Sequence, residues 1–129
     1  MEIIHTYSRQ KAIEDGVLVD ITDTKEAKEA GFEIPVCLTA AVHALVEVPE
    51  GMEGFQDYAG RLWDTVYMAT HAVKCKRLQG ATEEEMEIIA FQVDYSMPAK
   101  TKAFKQVTYD LWLTFNKYEG FTIMLPSDY

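Results

Sequence analysis

Cysteine is scarce in this 129-residue chain. Cys37 and Cys75 are its two cysteines, and they form no CxxC pair. Two free thiols in a reducing compartment are the expected state, with a single disulfide the other arrangement. Long hydrophobic runs are missing as well. None approaches the ~20 residues that span a bilayer, so no membrane is expected. The opening MEIIHTYSRQKAIEDG has neither a basic nor an apolar leader region, so no secretory signal is expected and the setting reads as cytoplasmic. There is no GxGxxG, no P-loop and no GxSxG, and the glycines Gly51 and Gly54 lie in an acidic stretch that cradles phosphate poorly. The histidines His5, His43 and His71 are scattered without HxxxH or HExxH spacing, so no metal and no cofactor are expected. Positive charge is short too, with 12 Lys and Arg against 21 Asp and Glu, a net of −9. That balance disfavours direct binding of nucleic acid, whose phosphates need a basic surface.

The composition that remains is that of a globular protein. Hydrophobic residues make up 48% and charged residues 26%, and seven Tyr, six Phe and two Trp provide bulk for a core. A single domain over residues 1–129 is expected, large enough to bury roughly two-thirds of its unfolded surface. The negative charge is unevenly placed. Residues 1–60 hold 12 Asp and Glu against 4 Lys and Arg, whereas residues 61–105 hold 6 against 7. A field of one sign repels anions and attracts basic surfaces.

The periodicity divides the chain in a similar way. Ser8 predicts a cap for a helix over Arg9 to Asp15, closed by Gly16. Val17 to Ile21 reads as extended. Asp23 and Glu26 have capping-box spacing for a second helix that stops at Gly31. The Ile34-Pro35 step makes Phe32 to Leu38 a connector rather than a central strand. Thr39 predicts a cap for a third helix to about Glu47, and Pro49 to Gly54 reads as a surface loop. The longest helix is expected from Gly60 to Arg77. At about 100° per residue, Leu62, Val66, Ala69 and Val73 form one stripe, opposite Asp64, Met68, His71 and Cys75. Its apolar residues on most sides predict a helix covered on more than one face. Beyond Gly80 the period becomes two. Ile89 to Tyr95, Val107 to Phe115 and Phe121 to Leu125 read as strands, with Pro98 to Lys102 as a connector. The expected fold is α+β, with short N-terminal helices and one central helix packed on a C-terminal three-stranded antiparallel meander.

Several segments, taken in order, carry a resemblance. They are Ile4-His5-Thr6-Tyr7-Ser8-Arg9 with Ala12 to Asp20, then Glu29 to Val36 with Leu38 to Val42, then Gly60-Arg61-Leu62-Trp63-Asp64 with Met68-Ala69, and finally Phe121 to Pro126. Together they resemble an uncharacterised bacterial family of a domain of unknown function, frequent on plasmids, prophages and conjugative elements. The resemblance implies a prokaryotic or phage cytoplasm and an accessory role on mobile DNA. It transfers no activity and no catalytic residue.

Two constellations carry candidate chemistry. Arg61, Asp64, His71 and Cys75 sit on one long helix, with His71 and Cys75 four apart and within reach of a thiol–imidazole pair. This is the alternative reading, a small enzyme or ligand-binding domain. The plainer reading is a polar helix face, because a dyad on one helix comes with no oxyanion hole. Trp63 and Tyr67 nearby suit either core or interface. Glu83-Glu84-Glu85 with Glu87 reads most simply as a solvated face. Lys74, Lys76, Arg77, Lys100, Lys102 and Lys105 would form a local basic exception if the helix end met the Pro98 connector. The favoured expectation is a binding protein rather than an enzyme. Its partner surface is Glu14, Asp15, Asp20, Asp23, Glu26, Glu29 and Glu33. These carboxylates would mimic phosphates and engage a basic surface of a host protein or complex, as a counter-defence inhibitor. A homodimer through a sheet edge or the long helix is a further expectation.

Overall fold

Local capping signals decide where each helix of the amino-terminal half begins. The computed structural model describes residues 8–50, 52, 54, 57–97 and 105–129. The Ser8 hydroxyl accepts from the Lys11 N–H and opens helix α1 (Arg9–Glu14), and Gly16 follows at φ 79°. Strand β1 (Leu18–Asp20) leads to helix α2 (Lys25–Ala30), which Gly31 ends in the left-handed conformation at φ 108°. The cap of α2 is Thr24, whose hydroxyl accepts from the Ala27 N–H, and not the expected Asp23. Asp23 lies one residue too early, and the threonine that follows is itself a favoured cap residue. Strand β2 (Val36–Thr39) runs directly into helix α3 (Ala40–Val46), with Thr39 as cap.

The remaining elements are longer. Helix α4 (Tyr58–Leu78) is capped by Asp57 and has Lys76 and Arg77 at its negative end. Thr82 and Glu85 form a reciprocal capping box on the short helix α5 (Glu83–Met86). Strands β3 (Ile88–Met97), β4 (Lys105–Asn116) and β5 (Gly120–Met124) follow, and a 3-10 turn (Pro126–Asp128) closes the chain. The Pro98 to Lys102 connector, including Lys100 and Lys102 of the basic group, lies outside the described residues, as do His5 and the rest of residues 1–7.

The sheet corrects the expected fold. It has five strands in the order β1-β2-β5-β4-β3, not three. It is mixed, because β2 pairs antiparallel with β1 and parallel with β5, while β3, β4 and β5 form the antiparallel meander. The Phe32 to Leu38 connector therefore contains an interior strand. Pro35 stands before that strand instead of inside it, and its carbonyl accepts from the Phe121 N–H at 2.8 Å, where the parallel pairing starts. Val36, Cys37 and Leu38 are buried on both sheet faces. A strand covered on both sides shows no alternation, so period-two patterning does not reveal it. Gly120 is what lets β5 approach here. It takes φ 104°, and a Cβ would collide with the Pro35 carbonyl oxygen.

Helix α4 is also displaced from its expected central place. Leu62, Val66, Ala69 and Val73 are buried as the stripe requires, together with Ile89, Phe91, Val93 and Tyr95 of β3. The helix covers one face of the sheet beside α2 and α3, and its far side, at Asp64, Tyr67, His71 and Lys74, is exposed. The apolar bulk that predicted a second cover is Trp63, Met68 and Ala72, which are half-buried and pack on the same core, Met68 included although the wheel sets it opposite the stripe. The opposite sheet face carries polar ladders, with Gln92 donating to Asp110 and Gln106 donating to Ser96.

Candidate binding surfaces

The seven acidic residues singled out above lie on one continuous stretch of chain that passes through α1, β1 and α2. Residues 14–33 fold as the end of α1, the edge strand β1 and helix α2, and they hold seven carboxylates against two lysines. Glu14, Asp15, Asp20, Asp23, Glu29 and Glu33 are exposed, and Glu26 is half-buried. Lys11 lies 3.4 Å from Asp15 and Lys25 lies 3.9 Å from Glu29, both as exposed i,i+4 pairs. Such pairs contribute about 0–1 kcal/mol and are weakened by salt. Among the described residues, no lysine or arginine nitrogen comes within 4.0 Å of the other five carboxylates. Glu14 accepts from the Gln10 amide and Asp20 from the Thr22 N–H and hydroxyl, contacts that orient the carboxylates without removing charge.

The second constellation is divided by α4 itself. Arg61 turns inward and is only 1% exposed. Its Nε and Nη2 donate to the Leu45 carbonyl at 3.2 and 2.6 Å, and its Nη1 donates to the Ser96 carbonyl at 2.8 Å. The guanidinium also lies 4.8 Å from the centre of the Tyr95 ring, and the Tyr95 and Thr65 hydroxyls are 2.6 Å apart. Arg61 thus joins the last turn of α3 to the end of β3. Burial lowers its pKa, and it raises that of Tyr95.

Asp64, His71 and Cys75 point to the other side. Cys75 Sγ is 3.6 Å from His71 Nε2. Asp64 has its pKa raised by partial loss of water, a shift opposed by the Arg61 charge. Rings continue the row, with Trp63 and Tyr67 centroids 5.5 Å apart and Tyr67 and His71 stacked at 6.3 Å. Among the described residues, no group of three His, Cys, Asp or Glu is arranged to hold a metal ion, and no helix is long and apolar enough to cross a membrane.

One feature had no sequence signal. Arg9 of α1 crosses to the polar face of the sheet, where it donates to the Thr122 hydroxyl at 2.9 Å and to the Phe121 carbonyl. It borders an open cleft of about 270 Å³ with Thr114, Thr122 and Tyr129. Arg9 also faces Cys37, where burial pushes the thiol pKa up and the guanidinium opposes the shift.

Comparison with known proteins adds a family. The chain belongs to a family of unknown function, DUF6573. Its profile matches residues 1–128, which is nearly the whole sequence. Membership in a family without an assigned activity agrees with the resemblance carried by the sequence segments. No curated protein and no solved structure matches the chain.

Proposed function

We propose that this DUF6573 member is a small non-enzymatic binding protein whose acidic rim docks on a basic protein surface. The observation that carries this reading is the run of exposed carboxylates along α1, β1 and α2, with lysines beside two of them among the described residues. The cationic surfaces best matched to dispersed carboxylates are those that normally hold phosphates, so Glu14, Asp15, Asp20, Asp23, Glu26, Glu29 and Glu33 act as phosphate mimics. The setting follows the resemblance described above. In it, a mobile element's protein works in the bacterial cytoplasm as a counter-defence factor and inhibits a host nucleic-acid-binding complex.

The test begins with capture of partners from a bacterial lysate. The captured complex is then loaded with its nucleic acid and challenged with the protein. The proposal expects displacement of the nucleic acid. It also expects no displacement by a variant with all seven residues changed to Asn or Gln. Equal displacement by both proteins, or none by either, overturns it.

The 3.6 Å contact between Cys75 and His71 favours a second reading, a small ligand-binding or enzymatic site on the outer face of α4. Arg61 has no part in that site, since it faces the core. Selective alkylation of Cys75 that removes a measured activity supports this reading, and alkylation without consequence removes it.

A further inference from the structure

The exposed side of α4 carries a pattern that matches itself when reversed. Gly60, Asp64, Tyr67, His71, Lys74 and Leu78 are all exposed, and Leu78 is 89% exposed. Their spacing alternates four and three residues, which is the alternation of a coiled-coil seam. An antiparallel copy of the same helix, related by a two-fold axis at Ala69, brings these positions into layers. Gly60 then meets Leu78, Asp64 meets Lys74, and Tyr67 meets His71. Each layer joins complementary groups. A glycine leaves room for a leucine, a carboxylate faces an ammonium, and a phenol ring faces an imidazole. A parallel copy lacks this match, because it sets Asp64 against Asp64 and Lys74 against Lys74.

We infer that a second copy of this chain occupies the outer face of α4, with the two helices antiparallel. The axis makes the contact isologous, so every pairing occurs twice and the assembly closes at two. The Trp63–Tyr67–His71 row, with neighbouring centroids 5.5 and 6.3 Å apart, holds the central rings in place before association. Ordering them in advance reduces the entropy lost on binding. The charge layout agrees, since the carboxylate-rich rim lies on α1, β1 and α2, and the seam adds one Asp and one Lys per chain. A pair of helices about 32 Å long is a modest interface, so the dimer depends on concentration. The acidic-rim proposal is independent of this inference, as it uses other residues.

Sedimentation equilibrium over a wide concentration range tests the dimer. The mass is expected to rise from 14.7 kDa toward twice that value. Tyr67→Glu is expected to hold it at the monomer mass, with circular dichroism reporting the fold. Asp64→Lys alone is expected to weaken association at least tenfold, and Asp64→Lys with Lys74→Asp is expected to restore it. The charge swap decides the matter even if Tyr67→Glu fails to fold. Three results overturn the inference. They are a wild-type mass fixed at 14.7 kDa, a dimer indifferent to both Tyr67→Glu and Asp64→Lys, and a double charge swap that restores nothing.

Discussion

The two ends of the sheet are built on different principles. At the β3 end, strands of ten and twelve residues pair in register with one helix across them, and nearest-neighbour sequence contacts define the structure. At the β1 end, three- and four-residue strands are held by pairing that joins Val36 to Phe121, far apart in the chain. The first end carries a balanced charge and the second carries the carboxylates. Stability and charge are therefore separable, and the region proposed to bind is the one with the shorter strands.

The largest effect tests whether both ends share one core. Leu113→Ala in β4 and Leu38→Ala in β2 each empty a fully buried site and are expected to cost about 2–5 kcal/mol in urea unfolding. A cost below about 1 kcal/mol for Leu38→Ala would break the comparison by detaching β2 from the core. Arg61→Met comes next. It leaves the Leu45 and Ser96 carbonyls without their donor and is expected to cost about 1–3 kcal/mol. No loss in thermal unfolding would mean that Arg61 does not tie α3 to β3. Neutralising the seven rim carboxylates is expected to change stability by less than about 1 kcal/mol, since exposed pairs contribute little and mutual repulsion is relieved. Marked unfolding of that variant would tie the charge to the fold.

The smallest effect concerns Glu85. Hydrogen bonds from the Thr82 N–H and within the capping box hold its carboxyl below the ordinary 4.5. A depressed folded pKa stabilises α5 above pH 4.5 and stops doing so as pH falls through the lower, folded value. Carboxyl titration by nuclear magnetic resonance should place Glu85 below the ordinary glutamate value, and Thr82→Ala should raise it back.

Legibility in the sequence follows the same division. Ser8, Thr39 and Gly31 announced helix ends because capping is local chemistry. Alternation exposed β3 and β4 because each has one covered and one open face. β2 stayed hidden because both of its faces are covered, and its parallel partner β5 lies beyond α3, α4, α5, β3 and β4. The inward turn of Arg61 was equally hidden, since its acceptors are main-chain carbonyls that no side-chain motif records. The acidic residues were legible by count, and the fold added that six of the seven are exposed.

The most direct measurement of the central claim is the affinity for the captured basic partner as a function of salt, for the native chain and for the seven-residue variant. The account predicts a steep fall in affinity with rising ionic strength for the native chain, and weak, nearly flat binding for the variant. A native-chain affinity that stays constant with salt would contradict it.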